Sequence, residues 1–345
     1  MATTLALPGT DIGKPLAISA ADKARLRILF IAKNALWDGS GKPEDGNHAI
    51  YHREMRETLE GLGLNLSVAN SFDLLYEKPE VDFVFPLLNR AGFLNSEMLC
   101  PLLCERAGIA YLGASPIIRG LADDKHLSKL AAVSAGVPTA PWAVYRRMRA
   151  VEPDRHPHAE RYVVKPNASS ASWGVRDASD WPSLKAAIEE VHALGHDAIV
   201  EPFLAGSDVE VPALTIGEPQ LLPLMIFRQA DPCHLRSYQE KRDLVDRAGQ
   251  YSLEPFEDAE LAQRIAGYAR SLWNEYRPFD YGRFEFRINE QTGQVHFLEV
   301  NLSCNLWSQK VFGRAAARVG WEHPQLIETI LTQALRRNGL IDRAA

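Results

Sequence analysis

Residues 281–301 constrain this chain more than any other stretch. The run Tyr281-Gly-Arg-Phe-Glu-Phe-Arg-Ile-Asn-Glu-Gln-Thr-Gly-Gln-Val-His-Phe-Leu-Glu-Val-Asn301 alternates apolar and polar residues on both sides of Glu290-Gln291-Thr292-Gly293. That pattern predicts a β-hairpin, with Gly293 supplying the positive φ of the turn. Folding about position 292 sets Glu285 opposite Glu299 and Arg283 opposite Asn301. Strand periodicity places all four on one face, and Phe284, Phe286, Leu298 and Val300 on the other, facing a core.

Two carboxylates directly opposite on neighbouring strands have Cβ atoms ~5 Å apart. At an effective dielectric near 20, their repulsion is roughly 3 kcal/mol. A divalent cation between the oxygens removes that cost, and a small set of hard oxygen ligands suits Mg²⁺ completed by water and phosphate. The competing reading is an exposed hairpin face on which Arg283 and Arg287 neutralise the acids.

With 345 residues, 46% of them hydrophobic, the chain can bury several cores, and two or three domains are expected. A net charge of −6 without a long basic run argues against nucleic acid or an anionic membrane as partner. Cys100, Cys104, Cys233 and Cys304 lack zinc-type spacing, and Cys100 and Cys104 fall on one face of a predicted helix. Residues 1–20 do not have the basic start and apolar block of a signal peptide, and no apolar run reaches membrane-spanning length. The expectation is a soluble cytoplasmic protein.

Residues 1–25 read as a loose leader. Strands at 26–32, 64–69, 81–87 and 109–112 alternate with helices at 47–62 and 97–107, which implies a small parallel sheet. The loop at 33–46 has no GxGxxG fingerprint. Further on, helices are predicted at 123–135, 181–194, 258–276 and 325–337. Strands are predicted at 162–165 and 198–201, and a pair at 209–216 and 220–227 around Gly217. The polar stretch 146–158 reads as a surface loop with solvated His156 and His158. Three domains are expected, over 26–115, 116–204 and 205–345.

The strand ending at Lys165 runs into the small-residue loop Ser169-Ser-Ala-Ser-Trp-Gly174. Such loops let backbone N–H groups approach phosphate oxygens, with a lysine neutralising charge. A flexible surface loop is the other reading. Lys125 and Lys241 are further candidate cations, against the alternative of solvated surface lysines. In Glu201-Pro-Phe-Leu204, the Pro202 carbonyl and the Leu204 N–H offer the acceptor and donor that an adenine edge requires.

Taken in order, Asp124-Lys125, Val164-Lys165-Pro166, Glu201-Pro-Phe-Leu204, Gly206-Ser-Asp-Val-Glu210, Tyr238-Gln-Glu-Lys241, Gly282-Arg-Phe-Glu285 and Leu298-Glu-Val-Asn301 form a distinctive series. Over roughly residues 81–335 the chain resembles the ATP-grasp superfamily, most closely its D-alanine–D-alanine ligase branch. The resemblance implies an α/β, three-domain ATP-grasp fold: an amino-terminal parallel-sheet domain, a central lid and a carboxy-terminal antiparallel-sheet domain. It implies ATP and Mg²⁺ as cofactors. Lys125, Lys165 and Lys241 match the phosphate-binding lysines, and the loop with Ser170 and Ser172 matches the lid. Glu201, Pro202 and Leu204 match the adenine clamp, and Asp208, with Glu210 as competitor, the ribose ligand. Glu285, Glu299 and Asn301 match the magnesium ligands. Arg283 matches the arginine that stabilises the tetrahedral intermediate, assisted by the Asn305 N–H.

The implied chemistry is ADP-forming ligation of a carboxylate to an amine through an acyl phosphate, on a small amino-acid-like substrate. Ring closure within one substrate is a variant, and a phosphotransferase or a nucleotide-binding regulatory module are alternatives. The resembled family is commonly dimeric, so a homodimer is an open expectation. Departures cluster on the acceptor side. The loop 33–39 lacks the acidic residue that grips the first amino group in that family; the lid has Ser170 and Ala171 in place of a glycine and a serine; Arg242 replaces a tyrosine; Cys304-Asn305 replaces Pro-Gly; Lys310 replaces a serine. Lys310, Arg242 and Arg90 are candidates for binding an anionic group of the substrate. Trp307 is expected to pack, and Cys304 to fill space rather than act as a nucleophile.

Overall fold

A computed structural model describes residues 6–41, 43, 45–88, 97–241 and 251–342. Three sheets organise the described residues. Its amino-terminal part runs α1 (Ala20–Arg25), β1 (Arg27–Ile31), α2 (Asn47–Gly61), β2 (Asn65–Ala69), β3 (Phe83–Pro86), α3 (Leu99–Ala107), β4 (Ala110–Tyr111), α4 (Pro116–Asp123) and α5 (Lys125–Ser134). The strands form a parallel sheet in the order β2-β1-β3-β4. Both faces of β1 and β3 are covered, so Ile28, Leu29, Phe30, Phe83, Val84 and Phe85 form continuous apolar runs, each at most 2% exposed.

The second sheet is antiparallel, built from β5 (Ala143–Tyr145), β6 (Tyr162–Pro166), β7 (Arg176–Ala178) and β8 (Ala198–Pro202) in the order β5-β8-β6-β7. Its core is its own: α6 (Trp181–Ala193), capped by the Asp180 side chain on the Ser183 N–H, packs Leu184, Ile188 and Val191 against Val164 and Val200.

The third sheet holds β9 (Ser207–Ile216), β10 (Glu218–Leu221), β11 (Met225–Gln229), β12 (Tyr251–Pro255), β13 (Tyr281–Asn289) and β14 (Gln294–Asn301). Its order is β12-β11-β9-β13-β14, with β10 also on β9. Between its strands run the short α7 (Tyr238–Lys241) and the long α8 (Ala259–Tyr276), and the chain closes with α9 (Val311–Arg318) and α10 (His323–Arg337). One core joins Phe30, Tyr51 and Phe85 of the first layer to Tyr281, Phe312 and Ile330 of the third. The first and third layers are therefore fused, while a cleft lies between the second and third.

Several expectations change. The helix expected over 123–135 forms as α5, capped by Asp124 through the Leu127 N–H at 2.9 Å, and a further helix that was not expected, α4, leads into it. The strand expected over 220–227 is two, interrupted before Met225. Residues 6–25 are not a loose leader: Ile12 and Ile18 are buried, and the Leu16 and Ile18 N–H groups donate to Thr329 Oγ1 and Glu328 Oε1 of α10 at 2.9 and 3.0 Å. His156 is not merely solvated; it stacks on Trp181 and hydrogen-bonds the Tyr145 hydroxyl at 3.0 Å.

Candidate active site

The predicted cross-strand pairs form: Arg283 faces Asn301 and Glu285 faces Glu299. Glu285 also faces Glu210 on β9, so three carboxylates stand in a row across three strands. Beyond Glu285 the register shifts by one, and Phe286 pairs with Phe297. This bulge corrects the expected core face. Phe297, fully buried, takes the inward place assigned to Leu298, and Leu298 turns to line the cleft.

Cations offset the row of acids. Arg283 Nε lies 2.7 Å from Glu210 Oε2, and Arg283 Nη2 pairs with Glu285 Oε1. Burial opposes the arginine's charge, but Glu210 and Glu285 more than compensate and raise its pKa. Lys125 Nζ lies 3.8 Å from Glu299 Oε2. Asn301 Oδ1 accepts from the Ser303 N–H at 3.1 Å and keeps a second lone pair.

A cavity of about 130 Å³ runs along this face. Lys125, Lys165, Glu285, Glu299 and the loop 169–172 line it, and so do Pro202, Phe203, Leu204 and Asp208. The loop is locked to α5: Lys125 Nζ donates to the Ser169 carbonyl at 2.6 Å, and Asn167 Nδ2 to Asp124 Oδ2 at 2.8 Å. Ala171 and Ser172 both have positive φ (55° and 60°), and the Trp173 N–H returns to the Ser170 carbonyl at 3.0 Å. Two consecutive left-handed residues closed by that bond make a tight turn at the tip of the loop.

Glu201 also lines the cleft. It is buried between two lysines: Lys129 Nζ lies 2.6 Å from Oε1, and Lys165 Nζ pairs with Oε2. Burial alone would raise this carboxyl, but Lys165 and Lys129 outweigh it and hold its pKa at about 2. Burial pulls Lys129 below its ordinary value, whereas Glu201, with Glu299 and Asp208 beyond, holds Lys165 above its own despite burial. Lys129 carries no local sequence signal; the charge it compensates lies in another sheet. Asp208 lines the cleft and accepts from Arg287 Nη1 at 2.9 Å, while Arg287 Nε donates to the Leu204 carbonyl at 2.9 Å. Glu210 does not line the cleft; it lies beneath Arg283, which leaves Asp208 as the acid facing the cavity.

Asn305 and Lys310 line neither this cavity nor the smaller one beside it. Their loop is bound to α2 instead: the Leu306 N–H donates to the Tyr51 hydroxyl at 3.0 Å, and Glu54 accepts from Trp307 Nε1 at 2.8 Å and from the Ser308 N–H at 3.0 Å. Trp307 therefore packs, as expected, with Lys310 Nζ 5.9 Å from its ring centroid. Cys304 is buried, and burial pushes its thiol up to about 12, so it is neutral. Lys241 ends α7, but its side chain, Arg242 and Arg90 lie outside the described residues.

Two facing carboxylates and an amide oxygen are donors that Mg²⁺ accepts. Among the described residues no group of three or more His, Cys, Asp or Glu completes a metal site without other ligands. Glu285, Glu299 and Asn301 thus fit an ion that takes its remaining ligands from water and phosphate.

The model of the family described as "D-ala D-ala ligase C-terminus" matches residues 132–332. An uncharacterized protein of Sinorhizobium fredii is 28% identical over 246 residues, 70% of this chain and 72% of that protein. A D-alanine–D-alanine ligase of Actinobacillus pleuropneumoniae is 26% identical over 281 residues, 80% of this chain and 89% of that protein. Among solved structures, the D-alanine–D-alanine ligase from Bacillus anthracis complexed with ATP aligns with a TM-score of 0.72 at 21% identity, over 91% of this chain and 98% of that one. At that identity the structural likeness speaks for the fold. No helix among the described residues is long and apolar enough to cross a membrane. With more than half of its length matched by the family model, and with the same three-layer architecture, the chain belongs to the D-alanine–D-alanine ligase family and has its ATP-grasp fold.

Proposed function

We propose that this protein is an ATP-dependent, ADP-forming ligase that joins a carboxylate to an amine on a small amino-acid-like substrate. The observation that carries the reading is that one cleft is lined by Lys125, Lys165, Glu285 and Glu299 together with Pro202, Leu204 and Asp208. Cationic and acidic side chains beside a segment that offers backbone groups and apolar surface suit a nucleotide triphosphate.

In this reading the Pro202 carbonyl and the Leu204 N–H hold adenine, and Asp208, fixed by Arg287, holds the ribose. Lys125, Lys165 and Lys241 take the phosphates, under the Ser170 and Ser172 turn. Glu201 positions Lys165 rather than touching the base. Glu285, Glu299 and Asn301 would hold Mg²⁺, which neutralises charge on phosphate oxygens when bound.

A substrate carboxylate oxygen attacks the γ-phosphorus; the bond to the β,γ-bridging oxygen breaks, and ADP leaves. An amine then attacks the acyl carbon of the resulting acyl phosphate, and orthophosphate leaves with the bonding pair. Arg283, held in place by Glu210 and Glu285, meets the charge that develops on the acyl oxygen. Asn305, Lys310 and Arg242 belong to the acceptor side, where the sequence departs from the resembled family, and the homodimer remains part of this proposal.

An ADP-release screen over amino acids and amines, followed by product mass analysis, tests the reading. ADP, orthophosphate and a new amide, linear or cyclic, are the expected products. A stable phosphorylated product would mean a phosphotransferase. Nucleotide binding without ADP release across the panel would mean a regulatory module.

A further inference from the structure

A second, smaller cavity of about 30 Å³ opens beside the main cleft. It shares Lys125, Ser169, Ser170 and Glu299 with that cleft, so it adjoins the residues assigned to the phosphates. Its other wall carries Glu97, Arg119, Asp123 and Asn301.

Arg119 is the unexpected member. It lies on α4 and is only 2% exposed. Nε donates to the Ala114 carbonyl at 3.1 Å and Nη2 to the Leu112 carbonyl at 3.2 Å. Gly113, between those carbonyls, has a φ of +109°, and a Cβ there would stand 2.0 Å from Arg119 Nη2. Only glycine leaves room for the guanidinium. The remaining nitrogen, Nη1, is buried and meets no acceptor among the described residues. Buried polar groups are nearly always hydrogen-bonded. None of the described residues supplies that acceptor, which leaves the place to a ligand.

We infer that Arg119 Nη1 receives a carboxylate oxygen of the substrate, making Arg119 a specificity-determining residue of the ligase site. The inference rests on the reading of the adjoining cleft as the ATP site. Two features favour a carboxylate over phosphate. The cavity has room for only a few oxygen-sized atoms. Its wall also carries Glu97 and Asp123, whose negative charge opposes a polyanion more strongly than a single carboxylate. An amide in place of the carboxylate leaves the guanidinium without its counter-charge, and discrimination of roughly 100-fold or more is expected.

The test is equilibrium binding, independent of turnover. Wild type and Arg119→Gln, saturated with Mg²⁺ and a non-hydrolysable ATP analogue, are titrated with glycine, both alanine enantiomers and glutamate, and with the corresponding amino amides. Wild type should bind at least one amino acid and bind its amide roughly 100-fold more weakly, or weaker still. Arg119→Gln should lose at least tenfold for the acid, show little further loss for the amide, and keep its nucleotide affinity within twofold. Weakened nucleotide binding would assign Arg119 to phosphate and overturn the inference; so would unchanged amino-acid affinity, or no amino-acid binding by wild type. If Arg119→Gln does not fold, Arg119→Lys carries the test, with at least a threefold loss expected and an unchanged affinity contradicting it. A protein that binds amino acid through Arg119 yet releases no ADP would sink the ligase reading and leave this one standing.

Discussion

Glu285 on β13 stands directly across from Glu299 on β14, with Glu210 directly across from Glu285 on its other side. For a bare pair of acids at ~5 Å the repulsion is roughly 3 kcal/mol. Arg283 relieves it between Glu210 and Glu285, and Lys125 partly relieves it at Glu299. Removing Glu299 therefore costs one long ion pair of 3.8 Å, to a lysine that keeps its hydrogen bond to the Ser169 carbonyl, and removes the repulsion. Glu299→Gln, without nucleotide or metal, should be as stable as wild type or more so in urea unfolding. A loss above ~1 kcal/mol would instead give Glu299 a structural role.

Glu201 behaves oppositely. Its replacement by Gln leaves Lys129 and Lys165 buried together without their counter-charge, and a loss of ~3 kcal/mol or more is expected. The pH dependence follows from its depressed pKa. The unfolded carboxyl titrates near 4.5 and the folded one at about 2. Its contribution is thus fully present above about pH 4.5 and lost as pH falls from there through about 2. Urea midpoints should fall more steeply over that window in wild type than in Glu201→Gln; parallel curves would contradict the assignment.

The tip of the 169–172 loop stores backbone strain. Ala171 and Ser172 sit at φ of 55° and 60°, where a side chain costs ~1–2 kcal/mol per residue. Ala171→Gly should therefore stabilise the protein, with a gain up to ~1 kcal/mol after the added flexibility of the unfolded chain is subtracted. Ala171→Val should do the reverse. Equal melting temperatures for the two variants would mean the turn is not strained in solution.

Glu54 anchors the 305–310 loop through Trp307 and Ser308. Glu54→Ala should shift Trp307 emission to longer wavelength and raise KM for one substrate several-fold, with nucleotide affinity intact. Lys310→Ala should show the same kinetic split without the spectral change. A matching loss of nucleotide affinity in either variant would remove this loop from the acceptor side.

Much of the site is legible from local pattern, because strand alternation and the motif order are local. The pairing of Glu285 with Glu299 comes out correctly for an instructive reason. The hairpin loop is centred half a residue earlier than position 292, with Asn289 facing Gln294, and the bulge at Leu298 restores the register before the acids are reached. Two offsets cancel, and only Leu298 is misplaced. Lys129, Glu54 and Arg119 are invisible to such reasoning. Each acts on a partner or cavity wall brought to it by tertiary packing, such as Glu201 for Lys129 and the 301–310 loop for Glu54. The docking of Ile12 and Ile18 is equally non-local, since its acceptors lie on α10.

The most direct test of the account is calorimetric titration of a non-hydrolysable ATP analogue, with and without Mg²⁺, into wild type and the Glu285→Gln/Glu299→Gln double variant. Wild type should bind the nucleotide at least tenfold more tightly with Mg²⁺, and the double variant should show no such difference while remaining folded. A double variant that keeps the full Mg²⁺ enhancement would contradict the placement of the ion and the triphosphate on this hairpin.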